Sequence, residues 1–232
     1  MYVRKERKEL GLFFKGIREI IPVSAAGIVD GMVFGILSHQ AGLSITETVL
    51  MSLLVNAGSS QFAAIGFISQ GIVGWPILLA TALLNSRQLL YGISLGPYFR
   101  KTSWWKLSLM GALLHDETFA LKSTYLTGGG KASLPYFFGA GVLDYLVWII
   151  STLSGVYFGS WVSHPEQFGL DFAFIATFLG FLAVNLFSRF HIITAICSAV
   201  AACLGYWLLG TSAAVITGTL TAIIIGVLVR EP

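Results

Sequence analysis

Charge is the first thing that the sequence lacks. Only 11% of its 232 residues are Asp, Glu, Lys or Arg, whereas 56% are apolar and the mean hydropathy is +0.81. Soluble proteins carry about 25% charged residues, so this composition excludes a soluble globular protein. The apolar runs are long enough for a helix to cross about 30 Å of hydrocarbon, and none alternates like a membrane β-strand. We therefore predict an all-α integral membrane protein, a polytopic bundle of about 6–7 transmembrane helices.

Cysteine and metal-binding motifs are scarce as well. The two cysteines, Cys197 and Cys203, fall inside one apolar run, and the four histidines form no H-x-x-x-H pair. This pattern gives neither a disulfide framework nor a metal site, and we interpret both cysteines as small residues of a helix core. We predict no metal and no cofactor.

A phosphate-binding loop is also missing. The stretch YLTGGGKAS, residues 125–133, ends in Gly-Lys but lacks the G-x-x-x-x-G-K-[ST] spacing that cradles phosphates. We therefore expect no ATP binding, and we interpret these glycines as a flexible turn.

Positive charge is concentrated near the N-terminus. Six of the 14 Lys and Arg residues fall within the first 18 positions. The positive-inside rule then places this end in the cytoplasm, and the acids Glu6, Glu9 and Glu19 within the run argue against a nucleic-acid arm. We predict a basic cytoplasmic segment at 1–19 and a single transmembrane domain at 20–232. The domain would cross the cytoplasmic (plasma) membrane several times, with the lipid bilayer around it.

The positions of basic residues indicate that two apolar blocks do not cross the membrane simply. The apolar blocks fall at about 20–38, 43–74, 75–97, 107–126, 134–162, 172–190, 191–210 and 211–229. One crossing per block would place several basic loops, including those with Lys122 and Lys131, on the wrong side. We predict that 43–74 is a broken or re-entrant pair of half-helices, and that 107–126 is a partial or cytoplasm-facing helix.

Polar residues interrupt the second block at VNAGSSQF, residues 55–62. A half-helix that begins here would present free backbone N–H groups, which suit a carboxylate at the membrane midplane. The alternative is a close helix crossing, with serine and glutamine as hydrogen bonders between helices. A serine protease site is a weaker reading, because the second glycine of a G-x-S-G motif is missing. The candidate residues are Asn56, Gly58, Ser59, Ser60 and Gln61.

Charges inside the apolar blocks are the strongest functional signal. A charge at a helix centre costs about 2.5–3.5 kcal/mol even on the permissive insertion scale. One arginine among four acids predicts either an ion pair that fixes helix packing or a site for a charged or zwitterionic solute. His115 adds a candidate proton relay. The charged residues are Asp30, Arg87, Asp116, Glu117 and Asp144.

Three stretches place an asparagine after an aliphatic run and a serine close behind it. Transporters often contain inverted repeats with discontinuous helices, so the pattern suggests such a repeat. The stretches are SLLVNAGSSQF (52–62), ALLNSRQLL (82–90) and FLAVNLFSRF (181–190).

Three longer stretches resemble, in order, the signatures of the AzlC family, the large subunit of branched-chain amino acid exporters. They are AGLSITETVLMSLLVNAGSSQFAAI (41–65), LLNSRQLLYGISLGPYFR (83–100) and HDETFALKSTY (115–125). Asn85 and Arg87 match the Asn-x-Arg-His of that family, while Gln88 departs from it. The first signature usually has an aromatic residue where Asn56 stands.

The resemblance implies a secondary transporter subunit that exports valine, leucine, isoleucine or similar apolar amino acids, extending to methionine, without ATP. It also implies a small AzlD-type membrane subunit as partner. We expect the proton gradient to drive export. Substrate would bind the polar stretch named above together with Asn85 and Arg87, and the four acids with His115 would couple protons or form ion pairs. The rival classes are a non-transporting membrane scaffold and a membrane-embedded enzyme.

Overall fold

The computed structural model describes residues 2–161 and 188–228, together with 179–180, 182–183 and 186. Within these ranges the chain is helical and has no strand, which confirms the prediction of an all-α membrane protein. The predicted block at 172–190, the connection at 163–171 and much of the third repeat stretch lie outside the described residues. The helices are α1 (Tyr2–Gln40), α2 (Ile45–Leu54), α3 (Gly58–Ser69), α4 (Trp75–Leu95), α5 (Trp104–Ala112), α6 (Asp116–Thr127), α7 (Leu134–Trp161), α8 (Arg189–Leu209) and α9 (Thr211–Leu228).

Three helices of the described chain are long and apolar enough to cross a membrane. They are Glu6–Gln40 within α1, all of α7 and all of α8. Shorter apolar helices accompany them at Ile45–Leu54 and Ile216–Leu228. The chain is therefore a polytopic helical membrane protein.

Helices α1 and α7 form the packed centre, and they touch at glycines. A Cβ at Gly16 would collide with the backbone of Tyr136, and one at Gly35 with the backbone of Thr152. Gly155 makes the reciprocal close approach from α7. Both contact positions rise together along the two chains, so the helices run parallel. Small residues at these points let the two backbones approach without intervening side chains.

The predicted break in the second block is present. Helix α2 ends at Leu54 and α3 begins at Gly58. Asn56, between them, has φ +41°, the left-handed region that asparagine tolerates better than most residues. The chain therefore leaves the helical path within the polar stretch VNAGSSQF.

The fourth block is broken in the same way, which corrects the expectation of one partial helix. Helix α5 ends at Ala112 and α6 begins at Asp116. The backbone N–H of His115 donates to Thr118 Oγ1 at 3.0 Å, so the second half-helix has its own local cap. Leu113 and Leu114 fill this break, and their apolar character gave the sequence no interruption to detect.

Two further expectations are wrong. Lys122, assigned to a basic loop end, is fully buried in α6. Cys197 and Cys203, interpreted as core residues, are exposed on α8. Helix α8 packs mainly against α9, where Gly205 lies beside Thr217, and only that side of α8 is covered by described residues.

Candidate functional site

The two helix breaks face a common cavity next to α1 and α7. Side chains from α1, from both breaks and from α7 form its walls. Its volume is about 40 Å³, small beside the roughly 300–1,000 Å³ of typical ligand pockets. Eight of the twelve predicted site residues line it: Asp30, Asn56, Gly58, Ser59, His115, Asp116, Glu117 and Asp144.

Arg87 of α4 binds two residues that line this cavity, and it joins the two breaks. Its Nη2 lies 2.8 Å from Asp116 Oδ2 and donates to Ser59 Oγ at 2.6 Å. Asp116 is the first residue of α6, and Ser59 is the second residue of α3. Tyr91, one helical turn after Arg87, donates its hydroxyl to Asp116 Oδ1 at 2.7 Å. One guanidinium thus bridges the N-terminal ends of both half-helices.

A second charged group surrounds His115. Its Nδ1 lies 3.1 Å from Glu117 Oε2 and 3.2 Å from Asp144 Oδ2. The Ser24 hydroxyl donates to the other oxygen of Asp144 from α1. The Nε2 atom of His115 is buried and has no hydrogen-bond partner among the described residues. The imidazole therefore lies between two carboxylates that compete for one ring nitrogen.

This group is also the part of the site that could hold a cation. One donor atom from each of His115, Glu117 and Asp144 lies within 4.8 Å of the others. A nitrogen with two carboxylate oxygens is a donor set that divalent metals use. The three residues come from one break and a distant helix, so spacing in the sequence could not reveal them. The absence of a metal stays a prediction.

Asp30 faces the same cavity from α1. It is exposed, and within residues 2–161 and 188–228 it forms no ion pair. Among the four predicted intramembrane acids, it is therefore the carboxylate that another positive group could approach directly.

Gln61 points away from the cavity and holds the first break in place. Its Oε1 accepts hydrogen bonds from the Ala57 backbone N–H and from Trp148 Nε1, both at 3.1 Å. Its Nε2 donates to Ser52 Oγ at 3.2 Å, and Ser52 donates to Thr152 at 3.1 Å. This buried network attaches both half-helices to α7.

Three other predicted residues differ in how they relate to the cavity. Ser60 is buried and donates to the Ala57 carbonyl at 2.9 Å, so its hydroxyl is used within the break. Asn56 lines the cavity with a buried Nδ2 that has no partner in the described part of the chain. Among the residues that the structure describes, Asn85 Oδ1 has no partner and Asn85 is not part of the cavity wall.

Four residues in or next to the site could not be assigned from the sequence. Ser24 and Trp148 lie in apolar helices, where nothing distinguishes them from packing residues. Tyr91 lies four positions after Arg87, a spacing that places both on one face of a helix and could have identified it. Lys122 was visible as a charge but was assigned to the wrong environment.

The fold and the site define a class: a polytopic helical membrane protein in which two interrupted helices meet at a charged cavity. The family model described as AzlC protein matches residues 22–162. The chain belongs to the AzlC family.

Several relatives align with most of this chain. An uncharacterized membrane protein of Helicobacter pylori is 31% identical over 72% of this chain and 74% of its own. The branched-chain amino acid transport protein AzlC of Bacillus subtilis is 31% identical over 68% of this chain and 62% of its own. The inner membrane protein YgaZ of Escherichia coli is 27% identical over 89% and 86%. No solved structure matches.

Proposed function

We propose that the chain is the large subunit of a secondary transporter that exports branched-chain and similar apolar amino acids. The observation that carries the proposal is the bridge made by Arg87 between the starts of α3 and α6, beside an acidic group in the same cavity. A zwitterionic substrate needs both charges within a few ångströms of each other.

The family and its relatives support a role in membrane transport. The Bacillus subtilis relative is by name a branched-chain amino acid transport protein, and the Escherichia coli relative is an inner membrane protein. These names favour a transporter over an enzyme. They also motivate valine, leucine and isoleucine as first substrates and the cytoplasmic membrane as location.

The substrate carboxylate would bind at the start of α3. No side chain caps this helix, so its first backbone N–H groups carry partial positive charge, and Gly58 and Ser59 of the same turn line the cavity. Arg87 donates a hydrogen bond to Ser59 Oγ and so adds a full positive charge near the start of α3. In the observed state the Arg87 guanidinium forms an ion pair with Asp116, and the substrate carboxylate would replace Asp116 in that pair.

The substrate ammonium would meet the acids on the opposite wall. Asp30 is an exposed acid of the cavity, and Glu117 and Asp144, which also line it, both contact His115. A proton bound at His115 would compete with the ammonium for the same negative charge. That competition is a direct route to coupling export with the proton gradient.

The apolar side chain of the substrate would occupy a second cavity beyond Asn56. Its volume is about 560 Å³, and Asn56 belongs to the walls of both cavities. The wall of this second cavity is largely aliphatic and aromatic, and it includes Leu53, Leu113 and Phe138. Gln88 adds a polar side chain to the wall. This cavity fits a preference for apolar amino acids.

The cavity at the breaks is small in the observed state. Its volume of about 40 Å³ cannot hold an amino acid. Opening it requires the ends of α3 and α6 to separate, which breaks a contact of Arg87 with Ser59 or Asp116. We further propose, from the sequence resemblance, an AzlD-type small subunit as partner and a cytoplasmic N-terminus.

The proposal is tested by transport of labelled valine into proteoliposomes that contain the full chain with its small partner. We expect uptake that a pH gradient increases and that Arg87→Gln abolishes. Arg100→Gln is the matched control, because Arg100 is exposed beyond the end of α4. Unchanged valine transport by a correctly inserted Arg87→Gln variant would contradict the proposal and favour a scaffold. Release of a chemical product from valine would favour an enzyme.

A further inference from the structure

A third cavity lies where α1 and α7 begin, and the proposed transport cycle assigns no role to it. Its volume is about 740 Å³. Its wall combines residues of α1, of the connection after α4, of the last turn of α6 and of the turn that leads into α7. Both α1 and α7 are long and apolar enough to cross a membrane, so a cavity at their starts lies near one membrane surface.

Exposed aromatic side chains mark the depth of this third cavity. Tyr98 belongs to the wall and is 53% exposed. Trp104 and Trp105 follow it closely in the chain and are 79% and 50% exposed. Exposed tyrosine and tryptophan are enriched at the level of the lipid headgroups, because one end of the ring is apolar and the other is polar. The third cavity therefore lies at headgroup depth.

Two lysines from distant parts of the chain border the third cavity. Lys8 comes from α1 and Lys131 from the turn before α7, and both are exposed. Neither forms an ion pair with another described residue. The wall also contains the hydroxyls of Thr102 and Ser133 and one acid, Glu9. Ammonium groups and hydroxyls can donate to phosphate oxygens, so this wall suits a phosphate with a single negative charge.

The glycine-rich stretch at 125–133, which lacks the spacing of a nucleotide-binding loop, fixes one of these lysines in place. Gly129 has φ +85°, and the backbone N–H of Gly130 donates to the Tyr125 carbonyl at 2.9 Å. A Cβ at Gly130 would collide with that same carbonyl oxygen. Helices commonly end in this way, with glycine in the left-handed region. The turn therefore has a defined conformation, which places Lys131 at the edge of the third cavity.

We propose that the third cavity binds the phosphate headgroup of an anionic phospholipid, with Lys8 and Lys131 as the cations that hold it. A lipid fits the site better than a soluble phosphate, because the cavity lies at headgroup depth and its wall also contains the apolar residues Leu12, Phe99 and Leu134.

A bound headgroup would connect two parts of the bundle. The wall joins the start of α1 to Tyr125 in the last turn of α6. Helix α6 is the half-helix whose first residue, Asp116, forms the ion pair with Arg87. The lipid would thus fix the far end of α6 against α1. The inference goes beyond the proposed transport function and does not depend on it.

The test is thermal unfolding of the full-length protein in an uncharged detergent, titrated with dioctanoyl phosphatidylglycerol. We expect saturating lipid to raise the melting temperature by about 5 °C. Dioctanoyl phosphatidylcholine carries no net charge, and inorganic phosphate has no acyl chain, so each should raise it by less than half as much at the same concentration. An equal effect of phosphatidylcholine or of inorganic phosphate would overturn the inference.

Charge variants locate the binding site. Combining Lys8→Gln with Lys131→Gln should weaken the apparent affinity for phosphatidylglycerol by about 30-fold and leave the lipid-free melting temperature unchanged. Lys101→Gln combined with Lys106→Gln is the charge-matched control, because neither lysine belongs to the wall. An equal loss of affinity in both double variants would show that binding follows total charge and would overturn the inference.

Two further variants test whether the site is built by the fold. Glu9→Gln removes the acid of the wall and should strengthen binding of phosphatidylglycerol. Gly130→Ala keeps every charge but displaces the turn that carries Lys131, so it should weaken binding. Unchanged affinity in a folded Gly130→Ala variant would show that Lys131 needs no fixed position and would contradict a built site. None of these measurements involves transport, so failure of the proposed function would leave their outcome unaffected.

Discussion

Arg87 on α4 and Asp116 at the start of α6 form an ion pair of 2.8 Å, and Ser59 of α3 shares the same nitrogen of the guanidinium. The pair connects two half-helices that are otherwise held by separate networks. Its two partners Asp116 and Ser59 line the cavity, and the pair uses the charge that a substrate carboxylate would need.

Neutralising both partners of this pair should separate its structural role from its role in transport. In Arg87→Gln the Asp116 carboxylate loses its counter-ion, and the melting temperature should fall by a few degrees, limited because both side chains are partly exposed. Adding Asp116→Asn should restore most of that stability but no valine transport. Restored transport in the double variant would mean that the pair is only a packing device.

Gln61 should be essential for stability. Replacing it by alanine leaves the Trp148 N–H and the Ala57 backbone N–H buried without acceptors, at a cost of about 2–4 kcal/mol. Thermal unfolding of the purified protein measures the loss. Gln70→Ala is the control, because Gln70 is exposed at the end of α3 and makes one local bond to Gly66. Equal effects of the two variants would argue against the network around Gln61.

The glycines between α1 and α7 offer a matched pair. Gly35→Ala places a methyl group against the backbone of Thr152 and should reduce stability strongly or prevent folding. Gly11→Ala on the same helix meets no atom within 4 Å and should be neutral or slightly stabilising, since alanine favours helix. Expression level and melting temperature check both. A stable Gly35→Ala variant would show that the two helices have room to move apart.

The parallel course of α1 and α7 makes the sidedness of the membrane testable. Lys8 and Lys131 border the same cavity near the N-terminal ends of these helices. In a background where Cys197 and Cys203 are replaced by alanine, single cysteines at positions 8 and 131 should react with a membrane-impermeant reagent from the same side. A cytoplasmic N-terminus predicts labelling in inverted vesicles and none in intact cells. Labelling from opposite sides would contradict the parallel packing.

Chelators should leave the protein unchanged. His115, Glu117 and Asp144 have the donors for a cation, but each already has a polar partner within the protein. We expect the same melting temperature before and after treatment with EDTA. A lower value that zinc or manganese restores would identify a metal site at these three residues.

The sequence was sufficient for the membrane class, for the first break and for the charged residues of the site. Composition determines the class because lipid and water accept different side chains, and Asn56 marks a break because polar groups interrupt an apolar block. The second break could not be predicted, because Leu113 and Leu114 continue the apolar pattern of a helix. The partner of Arg87 could not be chosen, because the contact joins two helices whose relative position depends on the whole bundle.

The sequence also could not predict which helix face points toward the cavity. Gln61 and Ser59 are two residues apart, so they lie on different faces of α3, and only packing decides which face meets the cavity. Lys122 shows the same limit for burial. A lysine near the end of an apolar block looks like a loop residue, whereas the fold buries it beside the backbone carbonyl of Leu113.

The glycine contacts between α1 and α7 also restrict how the protein could move. Two backbones in direct contact cannot slide past each other by a fraction of a turn without a steric clash. We therefore expect α1 and α7 to keep their relative position. At the start of α3 the close contact is different, because Gly58 lies against the side chain of Trp148 and not against backbone. Any alternation between an inward-open and an outward-open state would then tilt the short helices α3 and α6 relative to the packed pair α1 and α7.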